Sequence, residues 1–413
     1  MLDIQFIREN TQQVKENAKS KNIKVDVDKI LAADEERREL LQQIEKLRAE
    51  RNKLSESSKG QMPSDRQIAQ SKKVGGELTT LEAKLKGIEE TFYTLLADVP
   101  NIIPDDTPEG GEEANKTEKE WGKPKKDKVQ DHLTWGEKHG LIDFERGAKV
   151  AGNKFYFTKG SLVELEQALT QFSLQLSIKH GFTPMTVPHL VNSKTAAGTG
   201  FLPRGEERQI YKIEGEDLNL IATAEISITG YHADEILNEK DLPLLYAGLS
   251  PAYRMEAGAY GKHSKGLYRV HQFNKLELYV YSKPEDSDTW HKKLVEIEEE
   301  ICQQLGIPYR LVRIAAGDLG APAYKKYDIE YWSPADQSYH ELMSCSNVTD
   351  YQARRLNIRY KSSKGNEFVH TLNGTAAAMS RMLIAIIENF QNSEGKVEVP
   401  RVLQPLMNGR EQL

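Results

Sequence analysis

The chain has 413 residues, of which 38% are hydrophobic and 29% charged, a composition typical of a soluble protein with two or three domains. No apolar run approaches the roughly 18 residues needed to cross a bilayer, and the amino-terminal segment lacks the basic-then-apolar pattern of a secretion signal. The formal net charge of −6 disfavours a nucleic-acid partner unless the basic residues are segregated on one surface.

The two cysteines, Cys302 and Cys345, stand far apart in the sequence. Because they form no C-x-x-C pair, neither a zinc site nor a disulfide framework is predicted. A reducing, cytoplasmic location is the simplest expectation for a chain with so few cysteines.

Two heptad patterns occupy the amino-terminal quarter, with residues recurring at alternating spacings of three and four. The first is Ile30, Ala33, Arg37, Leu40, Ile44, Leu47, Arg51 and Leu54, and the second is Val74, Leu78, Leu81, Leu85, Ile88, Phe92, Leu95 and Val99. Gly60 and Pro63 interrupt them, and Ser64 with Gln67 forms a capping box that starts a second helix. We predict an antiparallel helical hairpin, a coiled-coil arm whose first helix of about thirty residues is roughly 45 Å long.

Basic residues decorate the distal half of this hairpin, namely Arg48, Arg51, Lys53, Lys59, Arg66, Lys72, Lys73, Lys84 and Lys86. They suit an RNA-binding arm. Lysine and arginine on a helix often form only a solvated face, however, so a structural or dimerising coiled coil is equally open from the pattern alone.

A change of composition follows the hairpin. Prolines and glycines between residues 100 and 111 disfavour regular structure, and lysines between 116 and 128 make the segment basic. We predict an arm domain at 1–110, a linker at 111–130 and a mixed domain at 131–413.

Short β-rich runs alternate with helical stretches in the mixed domain. Helices are expected near 161–179, 287–305 and 376–391. Residues 249–258 and 267–281 are expected to form two strands joined by a long loop, so the pattern predicts an α+β fold with a mainly antiparallel sheet flanked by helices. Neither a Rossmann G-x-G-x-x-G after a strand nor a P-loop occurs, so a nucleotide would be bound in another way.

Charged and aromatic residues concentrate between positions 253 and 277. On a strand, Arg254 and Glu256 would face the same side, where an arginine can grip a phosphate through two parallel hydrogen bonds. The following loop, 257–266, is glycine-rich and basic. The return strand would place Arg269, His271, Phe273, Lys275 and Glu277 on one face, which suits an ATP-like ligand and an ammonium group. A charged hairpin with cross-strand ion pairs explains the same residues, so both interpretations stay open.

Two further segments carry candidate ligands. Glu341 and Ser344 supply a carboxylate and a hydroxyl, hard oxygen ligands that suit Mg²⁺. Arg381 lies on an apolar helix that we expect to be opened by a turn of small residues, which would allow a ligand to approach closely. Taken alone, a packed core helix with one exposed arginine would be the commoner structure.

In their order along the chain and in their residues, these segments resemble the three signature motifs of class II aminoacyl-tRNA synthetases. GFTPMTVPHLV, with Pro188, resembles the end of motif 1, residues 253–279 resemble motif 2, and LNGTAAAMSR, ending in Arg381, resembles motif 3. TAE at 223–225, RVHQFNKLE at 269–277 and SCSNVTDYQARR at 344–355 resemble the seryl enzymes in particular. So does the amino-terminal MLDIQFIREN followed by a helical hairpin, and the resemblance extends over essentially the whole chain.

The resemblance implies that serine is activated with ATP and transferred to the 3′ end of serine tRNA, and it leaves selenocysteine tRNA as a further substrate open. It implies Arg254 and Arg381 as catalytic residues. The implied ATP-binding residues are Arg254, Met255, Glu256, Arg269, Val270, Phe273, Glu341, Leu342, Met343, Ser344 and Arg381. The implied serine-binding residues are Thr223, Ala224, Glu225, Arg254, Glu277 and Thr375. Glu341 and Ser344 would hold the Mg²⁺ that accompanies ATP.

The resemblance also implies a homodimer formed through residues 161–191 and an arm that grips the long variable arm of serine tRNA. The sequence departs from the residues that are usual in bacterial members of the family at Met255, at Met343, and at Thr375 and Ala376, where NGTA replaces NGSG. These departures concern the detailed shape of the pocket, because the charged positions are unaffected.

Three alternatives stay open. A ligase that charges a carrier protein would lack the arm, and a non-catalytic paralogue would have damaged motifs. A plain coiled-coil protein would leave residues 131–413 unexplained. Serine-dependent ATP–pyrophosphate exchange distinguishes all three from an active synthetase.

Overall fold

The structure is a computed structural model that describes residues 1–57, 64–201, 210–256 and 265–413. The predicted helix break at Gly60 and Pro63, the basic residue Lys59 and most of the loop at 257–266 lie outside the described residues. Contacts divide the chain into two compact units, residues 1–102 and 103–413. No helix in the described part of the chain is both long and apolar enough to span a membrane.

The first unit is helical. Its helices are α1 (Ile4–Glu9), α2 (Thr11–Ser20), α3 (Val27–Ser57) and α4 (Asp65–Ala97). Helices α3 and α4 pack antiparallel along the predicted heptad positions, and Ile30, Ile44, Leu78 and Phe92 are buried between them. The capping box at the start of α4 is present, because the Ser64 side chain accepts from the backbone of Gln67 and the Gln67 side chain accepts from that of Ser64. The hairpin prediction is confirmed.

The second unit contains the remaining elements. Its helices are α5 (His132–Lys138), α6 (Phe144–Ala151), α7 (Ser161–Lys179), α8 (Ser193–Thr199), α9 (Ala224–Tyr231), α10 (Ser287–Leu305), α11 (Tyr351–Leu356) and α12 (Met379–Asn389). Its strands are β1 (Lys116–Trp121), β2 (Ile142–Asp143), β3 (Phe157–Thr158), β4 (Thr183–Thr186), β5 (Leu190–Val191), β6 (Asn219–Leu220), β7 (Ile236–Asn238), β8 (Leu244–Tyr253), β9 (Gln272–Ser282), β10 (Tyr309–Arg313), β11 (Lys325–Ser333), β12 (Ser338–Thr349), β13 (Arg359–Ser362), β14 (Gly365–Phe368) and β15 (His370–Ala378).

The main sheet of this unit has eight strands within the described residues, in the order β1-β10-β11-β12-β15-β9-β8-β4. All neighbouring strands are antiparallel except β4 and β8, which run parallel. Helices α7, α10 and α12 contact this sheet. The predicted α+β fold with a mainly antiparallel sheet is therefore confirmed.

Strand β9 shows how the sheet separates its two faces. Leu276, Leu278 and Val280 pack into the large core that includes residues of α7, α10 and α12. The alternate residues Tyr279 and Tyr281 belong to a second core formed with residues of α9 and α11. Since successive side chains on a strand point to opposite faces, the polar residues at 275 and 277 share the face of the two tyrosines.

The linker predicted at 111–130 is not free of regular structure. Residues Lys116–Trp121 form β1, which pairs with β10 at the edge of the sheet and stacks Trp121 on Tyr309 with ring centres 5.8 Å apart. The prediction fails here because five of the six side chains of β1 are exposed and most are charged. A charged, solvent-facing edge strand has the same composition as a polar linker.

Two local predictions around the motifs are also wrong. The small residues before Arg381 do not form a turn, because residues 373–378 belong to β15 and α12 begins only at Met379. Glycine and alanine have low strand propensity, so the ladders with β9 and β12 decide the conformation. Arg254 and Glu256 follow β8 instead of lying on it, and Glu256 has a φ of +47°.

Candidate active site

A polar pocket lies where the start of α9 meets the middle of β9. Thr223 caps α9, and its hydroxyl accepts the N–H of Glu225 at 3.4 Å and donates to Glu277 Oε2 at 3.1 Å. Lys275 forms an ion pair with Glu277, and its ammonium group is 3.5 Å from the Thr223 hydroxyl. Thr375 lies directly opposite Glu277 in the ladder between β15 and β9. The pocket thus combines two carboxylates, one ammonium group and two hydroxyls, and all five residues are buried.

The two carboxylates of this pocket, Glu225 and Glu277, repel each other electrostatically. Burial, and after it the negative charge of Glu277, raises the pKa of Glu225 to about 7. A hydrogen bond from Gln352 and the charges of Lys275 and Arg254 act in the opposite direction. A bound cation would relieve the repulsion between the two glutamates, so the pocket suits a ligand with an ammonium group.

Arg254 is the first residue after β8, and its backbone is held on both sides. Its N–H donates to the His271 carbonyl at 3.0 Å, and its own carbonyl is 2.8 Å from Nδ1 of that histidine. The guanidinium lies 5.3 Å from the ring centre of Phe273, and Nε donates to the Ala222 carbonyl at 3.4 Å. Burial and the nearby charge of Arg381 lower the pKa of Arg254, so this position favours an anionic ligand.

Arg381 projects from the first turn of α12 towards β12. Its Nη1 is 2.8 Å from Glu341 Oε1 and 3.3 Å from the carbonyl of the same residue. The guanidinium also lies 4.7 Å from the ring centre of Tyr268, whose hydroxyl donates to that carbonyl at 3.1 Å. Burial alone would raise the pKa of the Glu341 carboxyl, but the charges of Arg381 and Lys326 outweigh burial and lower it to about 2.

A β-bulge decides how Glu341 and Ser344 are presented. Residues three apart on a regular strand face opposite sides, yet both are half-buried while Leu342 and Met343 between them are fully buried. The register between β11 and β12 shifts at this point, which leaves Leu342 as the extra residue. Because of the bulge, the Glu341 carboxylate and the Ser344 hydroxyl lie on the same side of the strand.

Asp328, which the sequence analysis does not single out, belongs to the same group. It pairs with Ser344 in the β11–β12 register, and Lys326 lies 3.1 Å from its carboxylate. Burial raises the pKa of Asp328 to about 7, the charge of Glu341 adds to the rise, and Lys326 opposes it. Only the strand register reveals this residue, because nothing in its local sequence suggests a site.

The remaining residues predicted to bind ATP, together with Ala224 from the predicted serine-binding set, differ in their exposure. Glu256 and Arg269 form an ion pair at 3.2 Å close to Arg254, so the structure brings these charged residues together. By contrast, the side chains of Ala224, Val270, Leu342 and Met343 are at most 1% exposed, so they face the protein interior. A ligand could meet these four only through their backbones. Met255 is half-buried.

The fold and the arrangement of charges are those of a class II aminoacyl-tRNA synthetase. Residues 210–390 match the family described as "tRNA synthetase class II core domain (G, H, P, S and T)", and residues 1–103 match "Seryl-tRNA synthetase N-terminal domain". The chain belongs to the seryl-tRNA synthetase family.

Individual relatives agree with this assignment. The serine–tRNA ligase of Treponema denticola is 47% identical over 98% of both chains, and that of Rubrobacter xylanophilus is 44% identical over 100% of this chain and 98% of the other. Seryl-tRNA synthetase from Pyrococcus horikoshii, solved with ATP, has a TM-score of 0.91 at 40% identity and covers 100% of this chain and 99% of its own. The cytoplasmic serine–tRNA ligase of Naegleria fowleri, solved with AMP, has a TM-score of 0.86 at 32% identity and covers 100% and 98%. The predicted serine–tRNA ligase function is confirmed at the level of the family.

Proposed function

We propose that the site around Arg254, Glu277 and Arg381 carries out both half-reactions of serine attachment to tRNA. A serine carboxylate oxygen attacks the α-phosphorus of ATP, which forms seryl-adenylate and releases pyrophosphate. A 3′-terminal ribose hydroxyl of the tRNA then attacks the activated carbonyl and releases AMP. The proposal depends on the placement of Arg254. Its buried guanidinium favours an anionic ligand and lies beside the acidic pocket, which suits an ammonium group.

ATP is proposed to lie across the two arginines. Arg254 holds the α-phosphate and the reacting carboxylate, while Phe273 and Arg381 lie on either face of the adenine. Glu256 accepts from the adenine amino group, and Arg269 supplies a further positive charge. The chemistry is mainly positioning and charge neutralisation, as is usual for phosphoryl-type transfer, and it requires no side-chain nucleophile.

Serine is proposed to occupy the pocket at the start of α9. Its ammonium group faces the carboxylates of Glu225 and Glu277. This positive charge would stabilise the ionised form of Glu225 and so lower its raised pKa. Its hydroxyl meets Thr375 and Glu277. The ion pair between Lys275 and Glu277 holds the Glu277 carboxylate in place for its contacts with the ammonium group and the hydroxyl of serine.

Magnesium is proposed to accompany ATP at Glu341 and Ser344. The donors fit, because a carboxylate with a pKa of about 2 is fully ionised and a hydroxyl lies on the same side of the bulge. The described residues contain no group of three or more acidic, histidine or cysteine side chains that could hold a metal alone, so phosphate oxygens and water would complete its shell. The ion would neutralise phosphate charge.

The arm formed by α3 and α4 is proposed to bind serine tRNA. Part of its basic character is used internally, since Arg48 pairs with Glu82 at 2.7 Å and Lys84 with Glu36 at 2.8 Å. Within the described residues, Arg51, Lys53, Arg66, Lys72 and Lys86 are exposed and form no ion pair, so they remain for phosphate contacts. A selenocysteine tRNA charged with serine would use the same pocket.

A homodimer is proposed through α7 and the strands that follow it. Val163, Ile178 and Leu190 expose 39%, 48% and 40% of their surface in the single chain, which a two-fold partner would cover. A dimeric mass in sedimentation at micromolar concentration tests this. The two buried, unpaired cysteines are compatible with the proposed cytoplasmic location.

The test of the whole proposal is serine-dependent ATP–pyrophosphate exchange followed by charging of serine tRNA. We expect exchange with serine and Mg²⁺ and charging when tRNA is added. Exchange that is absent, or that another amino acid supports equally well, would contradict the assigned pocket.

A further inference from the structure

Gln352, on α11, lies fully buried beneath the proposed serine pocket and makes four hydrogen bonds. Its Nε2 donates to Glu225 Oε1 at 2.7 Å and to the Thr199 carbonyl at 3.3 Å. Its Oε1 accepts from the Tyr279 hydroxyl and the Thr371 hydroxyl, each at 2.9 Å. Both ends of the amide are therefore fully used.

These partners allow only one orientation of the amide. A backbone carbonyl such as that of Thr199 can only accept, so the nitrogen must lie on the side of Thr199 and Glu225. The oxygen then faces Tyr279 and Thr371, whose hydroxyls can donate. The amide of Gln352 is thus locked by β9 and β15, the two strands that also carry Glu277 and Thr375.

The lock acts on a single oxygen of Glu225. Its Oε1 accepts from Gln352 and also from Asn373 Nδ2 at 3.1 Å. Within the described residues, its Oε2 takes part in no hydrogen bond. The charged groups that act on this carboxylate are Glu277, Lys275 and Arg254, all of which belong to the proposed site.

We propose that Gln352 is a positioning residue for serine binding, which holds Glu225 by Oε1 so that Oε2 is presented to the ammonium group of serine. The proposal rests on the serine pocket described above. It assigns Gln352 no contact with substrate. Because Gln352 acts through Glu225, its loss should weaken the binding of serine and leave the binding of ATP unchanged.

The direct test replaces Gln352 with leucine, which keeps the size of the side chain and removes all four hydrogen bonds. In ATP–pyrophosphate exchange we expect the KM for serine to rise by roughly tenfold or more, as for the loss of other supporting partners of a site residue. The KM for ATP should change less than twofold. The matched control is Gln391→Leu, because Gln391 is also buried and hydrogen-bonded, to the carbonyls of Gln130 and Ile387, but lies outside the site. It should leave both KM values unchanged even if it lowers the melting temperature.

A second pair of variants keeps the test decisive if Gln352→Leu does not fold. Tyr279→Phe and Thr371→Val each remove one donor to the Gln352 oxygen and leave Gln352 and Glu225 in place. Combined, they should raise the KM for serine without changing that for ATP. Gln352→Glu keeps an acceptor for the two hydroxyls but puts a second carboxyl against Glu225, and it should impair serine binding more strongly as pH rises.

The outcomes separate this inference from the proposed function. A wild-type chain without serine-dependent exchange would contradict the proposed function itself. An active wild-type chain, together with a folded Gln352→Leu or double variant whose KM for serine is unchanged, would overturn only the role of Gln352. An equal rise in both KM values would likewise overturn it, because it would mean a general loss of structure.

Discussion

The guanidinium of Arg381 and the carboxylate of Glu341 form an ion pair at 2.8 Å. Both are proposed to take part in ATP binding, Arg381 by contacting the nucleotide and Glu341 by holding the metal ion. The pair orients both charged groups and compensates their charges. Binding of ATP with its metal would replace this internal pair with a contact of Arg381 to the nucleotide and of Glu341 to the cation.

Substituting Glu341 with glutamine should raise the Mg²⁺ concentration needed for adenylate formation. The amide keeps the size of the side chain but loses the charge that would attract the ion, and we expect roughly a tenfold change. The exchange rate measured against Mg²⁺ at fixed ATP and serine gives the result. An unaltered Mg²⁺ dependence in a folded variant would remove Glu341 from the metal site.

Substituting Arg254 with alanine should reduce the exchange rate by at least ~10²-fold, because a charge contact to the transition state is lost. The fold should survive, as shown by circular dichroism and the melting temperature. Arg146→Ala is a suitable control, since the side chain of that arginine is 72% exposed and, among the described residues, its ion pair is with Asp143. Near-normal exchange in the Arg254 variant would refute its assignment to the α-phosphate.

Serine should be preferred over alanine by up to ~10⁴-fold in kcat/KM, because the pocket contains buried polar groups that a methyl cannot satisfy. Thr375→Val should narrow this preference, as it removes one hydroxyl and keeps the shape of the side chain. Exchange rates with each amino acid measure the ratio. Comparable activation of alanine by the wild-type chain would rule out a pocket built around the serine hydroxyl.

Glu298→Gln should flatten the dependence of stability on pH. Glu298, on α10, is completely buried behind Gly374, and neither carboxylate oxygen has a hydrogen bond within the described residues that meets normal geometry. Burial, and after it the charge of Asp328, raises the pKa of Glu298 well above its usual value. The folded chain therefore retains a proton that the unfolded chain releases above about pH 4.3.

Because the folded pKa is the higher one, the contribution of Glu298 to the free energy of unfolding is complete below the unfolded pKa and declines as pH rises towards the folded pKa. The decline is about 1.4 kcal/mol per pH unit for one such group. Urea denaturation between pH 5 and 8 should show a smaller slope for Glu298→Gln than for wild type. Glu137→Gln, at an exposed position, should follow wild type. Parallel curves for all three chains would mean that Glu298 is ionised in the folded state.

Deleting residues 41–85 and closing the gap with a short turn should separate the two half-reactions. The deletion removes the distal core of Ile44, Val74 and Leu78 and retains the proximal core that contains Phe92 and Ile30. Exchange should persist, because the site residues lie in the other unit. Charging should collapse through weaker tRNA binding, which in the intact chain should be salt-sensitive. Lost exchange in a folded protein, or undiminished charging, would contradict the proposed role of the arm.

The sequence by itself determined the helical hairpin, because the heptad spacing and the capping box at Ser64 are local patterns. The helices expected near 161–179 and 287–305 also correspond to α7 and α10. The segments that contain Arg254, Glu277, Glu341 and Arg381 were recognisable from their resemblance to the family motifs. Tertiary structure decided what depends on strand register: the edge strand β1, the strand conformation of the small residues in β15, and the bulge at Leu342. These outcomes follow from ladders with distant strands, which no local propensity encodes. For the same reason only the folded chain brings Gln352 to Glu225 and Asp328 to Ser344, pairs whose members are separated along the chain and meet through the packing of the sheet.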